Sequence, residues 1–118
     1  MDIDKYKMER LMRRKTDIFN ELNVDHMNLV SLHEALKYYH FVESLSELET
    51  GRYIRWIKIM PNNTKLTNGG FICDIYDDII VCKNGFHRVF NLSTANNYIF
   101  QKFLDEELMI INALEKLR

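Results

Sequence analysis

Little in this sequence interrupts the chain or staples it. Its 118 residues hold one proline, Pro61, four glycines and two cysteines. So few breakers favour regular elements joined by few loops. Two cysteines make no disulfide framework, and with no export signal in view they read as free thiols of a reducing compartment. The start, Met1-Asp2-Ile3-Asp4-Lys5, is charged and leads into no apolar signal core, so an intracellular, non-secreted chain is expected. No apolar run approaches the roughly 18 residues of a membrane span. The triplets Asn62-Asn63-Thr64 and Asn91-Leu92-Ser93 therefore read as turn and cap chemistry rather than glycosylation sites.

Net charge is also nearly missing, at −1, which argues against a basic nucleic-acid binder or an acidic tail. Its distribution is uneven. Residues 23–50 are acidic and residues 51–92 basic, which reads as intramolecular complementarity, solvated faces or a steered partner surface. Catalytic signatures are lacking as well. There is no glycine-rich phosphate loop, no nucleophile elbow and no His-Glu-x-x-His zinc motif. Catalysis and a bound cofactor are accordingly not expected, and no small-molecule substrate is evident.

What is present is a globular composition, 47% hydrophobic and 28% charged, in a length that suits a single domain, 1–118. Residues 3–22 predict an amphipathic helix, with Met8, Leu11, Met12, Ile18, Phe19 and Leu22 at helical spacing. Arg13-Arg14-Lys15 on it reads as a solvated face, with a short localisation or nucleic-acid patch as the alternative. Asn23 and Asp25 are placed to end that helix and cap a second over 26–40, whose apolar spacing continues to Glu49. His26, His33 and His40 recur every seven residues, about 10 Å apart on a helix, too far to share a metal. They read as polar edge positions or as a pH-sensitive face.

From Gly51 the pattern turns to strands. Residues 53–59, 71–76, 79–83 and 86–92 are rich in β-branched and aromatic residues. Pro61-Asn62-Asn63, Gly69-Gly70, Asp77-Asp78 and Asn84-Gly85 separate them. Ser93 or Thr94 then predicts the cap of a closing helix over 94–117. The fold class is α+β: N-terminal helices through residue 50, a four-stranded antiparallel meander over 51–92, and a C-terminal helix over 93–118. The meander is either an open sheet covered by helices or an SH3-like small barrel.

A two-residue turn at Asp77-Asp78 sets Cys73 opposite Cys82, and one at Asn84-Gly85 sets Cys82 opposite His87. Thiol and imidazole are zinc ligands, but the spacing matches no ligand knuckle and no fourth donor is evident. Phe71, Ile75, Ile80 and Val89 share that face, so it reads as core, with buried free cysteines beside a packed histidine. The reverse face would carry Ile72, Asp74, Tyr76, Ile79, Val81, Lys83, Phe86, Arg88 and Phe90.

The strand region interleaves cations with aromatics. Arg52, Arg55, Lys58, Lys65, Lys83 and Arg88 stand among Tyr53, Trp56 and Phe86. Small β-folds bind single strands with such surfaces, though no ribonucleoprotein motif is present. Trp, Tyr and Arg also anchor protein interfaces. The stretch Gly51-Arg52-Tyr53-Ile54-Arg55-Trp56-Ile57 with Leu66-Thr67-Asn68-Gly69-Gly70-Phe71 resembles small uncharacterised proteins of large double-stranded DNA viruses, over roughly residues 45–103. That resemblance implies a viral accessory, virion or assembly protein, and it carries over no functional residue. The first expectation is a non-enzymatic module acting through a protein partner or self-association, with Tyr53, Arg55 and Trp56 as its surface. The alternative is nucleic-acid binding by the same strand with Lys58, Lys83 and Arg88. Trp56 itself fits either the core or the interface.

Overall fold

A computed structural model describes residues 5–22, 24, 26–58, 65–85 and 88–117. The expected turn at Pro61-Asn62-Asn63, the caps at Asn23 and Asp25, and Phe86 and His87 lie outside the described residues. The chain divides into two compact units, Met1–His40 with Phe103–Arg118, and Phe41–Lys102. The first is helical and the second is built on a sheet.

The helical unit contains α1 (Lys5–Glu21), α2 (His26–Ala35) and α3 (Asp105–Lys116). Met8 and Leu11 of α1 pack with Phe103, Ile111 and Leu114 in one buried cluster, the apolar stripe that the helical spacing predicts. Helix α3 starts at its acids. Asp105, Glu106 and Glu107 occupy its first turn and Lys116 its last, the arrangement the helix dipole favours. The Glu107 carboxylate accepts the Leu104 backbone N–H at 2.8 Å and so fixes the start.

The sheet has six strands: β1 (Tyr39–Val42), β2 (Tyr53–Lys58), β3 (Gly70–Tyr76), β4 (Ile79–Asn84), β5 (Arg88–Ser93) and β6 (Asn97–Lys102). It is open, in the order β1-β6-β2-β3-β4-β5. Neither a four-stranded sheet nor a small barrel describes it. Two strands come from segments that the sequence assigned to helices. Tyr39-His40-Phe41-Val42 is aromatic and β-branched, and its apolar spacing fitted either element. Tyr98-Ile99-Phe100 carries the same ambiguity. Ser93 does cap a helical turn, as expected, but a short 3-10 turn over Thr94–Asn96. The segment between β1 and β2 holds another 3-10 turn, Leu45–Glu47, closed by a Ser44/Glu47 capping box.

One face of the sheet is the core. Val42, Ile54, Trp56, Ile72, Ile80, Cys82, Leu92 and Ile99 form a continuous buried cluster with Leu48. Gly69 and Gly70 bring β3 close to its neighbours. A Cβ on Gly69, whose φ is +87°, would stand 2.2 Å from the Ile54 carbonyl oxygen, and one on Gly70 would stand 2.9 Å from that of Lys83. No side chain fits between these backbones.

Candidate interaction surface

The register of β3 against β4 and β5 decides which residues reach solvent. Asp77-Asp78 is a tight turn, with Asp77 at φ 53°. It pairs Tyr76 with Ile79, Ile75 with Ile80 and Asp74 with Val81, as a two-residue turn requires. A bulge then intervenes at Cys73, and Ile72 rather than Cys73 faces Cys82. One extra residue reverses the faces of the strand beyond it. The next connection is longer than the Asn84-Gly85 signal suggested. Asn84 pairs with Arg88 and Cys82 with Phe90, the place expected of a residue three positions earlier.

Residues 74–76 and 79–83 keep the expected faces, and the two shifts reverse those beyond them. Ile72 is buried, while Phe71 is 55% and Val89 63% exposed. Tyr53 of β2 pairs with Phe71, Phe71 with Lys83, and Lys83 with Val89. These four residues form one row across four strands, on the face opposite the core. The rings of Tyr53 and Phe71 meet edge to face at 4.9 Å. Tyr76, 49% exposed, continues the same face toward the turn.

The six residues singled out from the sequence do not form one surface. Tyr53, Arg55 and Lys83 belong to the outer face. Trp56 points into the core and is 9% exposed, in edge contact with Phe90 at 6.3 Å. Arg88 is exposed and lies in register with Phe90 and the core side, and Lys58 is exposed at the end of β2. Tyr53 and Arg55 are also held internally. The Tyr53 hydroxyl donates to the Asn68 carbonyl at 2.6 Å and Arg55 Nε to the Thr67 carbonyl at 2.8 Å. These bonds fasten the 66–70 segment along β2, where Ile57 also bridges Leu66.

The expected pairing of Cys73 with Cys82 does not form. Cys73 is exposed at the bulge and Cys82 is buried, both as free thiols. Burial, with a smaller effect of the neighbouring Cys73, pushes the Cys82 thiol up to about 11, so it stays protonated at neutral pH and is no nucleophile. Among the described residues no group of three or more His, Cys, Asp or Glu side chains is arranged to hold a metal. His33 and His40 share no face either. His33 on α2 stands edge-on to Phe19 at 4.5 Å, and His40 is buried in β1 beside the Phe103 ring.

One functional-looking residue escaped the sequence reading. Lys15, taken as part of a solvated basic triplet, turns inward and donates to the carbonyls of Leu36 and Tyr39, each at 3.0 Å. Desolvation lowers its pKa to about 8, against the opposing pull of Glu115. Its role is structural, since one ammonium ties the Leu36 carbonyl, just past α2, to that of Tyr39 in β1. No spacing in the sequence distinguishes it from Arg13.

Two pockets in the sheet unit, of about 260 and 180 Å³, are lined respectively by β1 and β6 residues around Phe41 and Tyr98, and by Trp56, Asn84, Arg88 and Phe90. Both fall below the roughly 300 Å³ at which ligand pockets usually begin. No described helix is long and apolar enough to cross a membrane. In comparisons with known proteins, no family model, no curated protein and no solved structure matches the chain.

Proposed function

We propose that this chain is a non-enzymatic protein-interaction module whose contact surface is the outer face of β3, β4 and β5. The observation that carries the reading is the exposed row Phe71–Lys83–Val89, flanked by half-buried Tyr53 and extended by exposed Tyr76. Large apolar side chains grouped and left exposed on one sheet face mark contact sites. Aromatic anchors around one cation are the composition of an interface centre. The resemblance to small proteins of large DNA viruses would make the partner a virion or assembly component.

Nucleic-acid binding draws less support from the same geometry. Its six candidate residues are divided between two faces, and Tyr53 and Arg55 already bond to the 66–70 backbone. A cationic groove needs its charges on one surface.

The test compares protein capture by the wild-type chain with capture by Phe71→Glu/Tyr76→Lys, which leaves the net charge unchanged. Partners held by the wild type and lost by the double variant, with binding insensitive to salt, support the reading. An identical set of captured proteins overturns it. Micromolar, steeply salt-dependent binding to labelled oligonucleotides would instead favour the nucleic-acid alternative.

A further inference from the structure

Strand β5 ends the sheet. It pairs with β4 along all six residues, Arg88 to Ser93, and meets no further strand among the described residues. Monomeric proteins protect such edges with proline, inward charges, bulges or short strands. β5 has little of this. It has no proline, no break in register and one charge, Arg88, at its start, while Val89 and Phe90 are exposed. Every second peptide group along it projects away from β4, so the edge is a template for another strand.

The ends of this edge carry opposite charge. Arg88 stands at one end. At the other, Ser93 pairs with Ile79, and the Thr94 N–H donates to the Asp78 carbonyl at 3.3 Å, which sets the Asp77-Asp78 turn beside the end of β5. Among the described residues, Arg88, Asp77 and Asp78 are exposed and none makes an ion pair. A strand with one sign at its start and the other at its end is complementary to an antiparallel copy of itself.

The pleat restricts how two copies meet. Phe90 faces Cys82 on the core side, and Val89 and Asn91 lie on the outer face. A two-fold axis perpendicular to the sheet keeps both core faces on one side only if each residue meets one of its own parity. A register centred on Asn91 satisfies this. It sets Arg88 against Thr94 of the second copy, next to that copy's aspartate turn.

We propose that β5 pairs antiparallel with β5 of a second copy of this chain, about a two-fold axis at Asn91. The pairing joins the two sheets into one and is sealed at each end by Arg88 against the Asp77-Asp78 turn. The interface is isologous. It also sets the two outer faces side by side, with Val89 of each copy near the axis. This pairing does not depend on what the outer face binds.

The experiment is sedimentation equilibrium of the full chain over a range of concentrations at low salt, for the wild type, Arg88→Asp, Asp78→Arg and the charge-exchanged double variant. A monomer–dimer equilibrium is expected. Each single substitution sets like charges against each other twice and should raise the dissociation constant by about tenfold or more. The exchanged pair should recover most of that. In a Cys73→Ser background, Asn91→Cys should oxidise to a disulfide-linked dimer, because facing residues of an antiparallel pair lie within disulfide reach. A chain that stays monomeric at millimolar concentration overturns the proposal. So does a dimer indifferent to the charge variants that fails to cross-link through Asn91.

Discussion

Gln101 holds the backbone of the Glu47–Glu49 segment with both ends of its amide. Its Oε1 accepts the Glu49 N–H at 3.1 Å and its Nε2 donates to the Glu47 carbonyl at 3.0 Å. The side chain is 1% exposed, in the strand register that sets it opposite Ile54. It thereby clips the 3-10 turn and Leu48 over the core face of the sheet. Gln101→Met keeps the volume and strands one donor and one acceptor. The expected cost is about 2 kcal/mol, measured as a lower urea midpoint with an unchanged slope. Gln101→Glu should cost more, because a carboxylate then faces the Glu47 carbonyl.

Two glycines of nearly equal φ separate conformation from space. Gly51, at φ +89°, has nothing within 4 Å of a built Cβ, whereas Gly69, at φ +87°, faces the Ile54 carbonyl oxygen at 2.2 Å. Gly51→Ala should cost only the left-handed penalty, about 1–2 kcal/mol. Gly69→Ala adds a clash with backbone that cannot rotate away, and the loss should exceed about 3 kcal/mol. Equal losses in denaturant melts would contradict the close approach of the 66–70 segment to β2.

Alkaline titration should read Lys15 and Cys82 with opposite signs. Between about 8 and 10.5 the unfolded chain keeps a proton on Lys15 that the folded chain has released, so stability rises with pH. Between 9.0 and about 11 the unfolded chain loses a Cys82 proton that the folded chain retains, so stability falls. Helical circular dichroism follows the unit that holds Lys15, and Trp56 fluorescence follows the sheet. The helical signal should gain stability from pH 8 upward and lose that gain in Lys15→Met. The sheet signal should decline above pH 9.

On the acid side, burial and the nearby Lys15 charge both hold His33 below its usual value of 6.5. The folded chain then disfavours the imidazolium, and stability contributed by neutral His33 should fade as pH drops below 6.5. His33→Gln should flatten this slope in denaturant melts of the helical unit between pH 7 and 5.

The fold was legible where one period or one turn admitted a single reading. Met8, Leu11 and Phe19 fixed α1, and Asp77-Asp78 fixed the register of residues 74–76. It was illegible where an apolar run fitted both elements. Ile99, Phe100, Phe103 and Leu104 extended a helical stripe backwards into β6. The acidic triplet 105–107 was the contrary signal, since acids belong in the first turn of a helix rather than its middle. Ser44-Leu45-Ser46-Glu47 likewise carried a capping box that marks the end of β1. Part of the outer face is illegible for a more basic reason. The bulge at Cys73 and the lengthened connection before Arg88 each shift register by an odd number of residues, and composition does not reveal such a shift. Phe71 and Val89 therefore face outward and Ile72 faces the core, the reverse of what counting from two-residue turns predicts.

Protein contact on the β3–β4–β5 side of the sheet is tested most directly by amide hydrogen exchange, on the chain alone and in complex with a captured protein. Slowed exchange across residues 70–76, 79–84 and 88–93, with α1 and α3 unchanged, is the predicted result. Protection confined to the helical unit, or to β1 and β6, would contradict it.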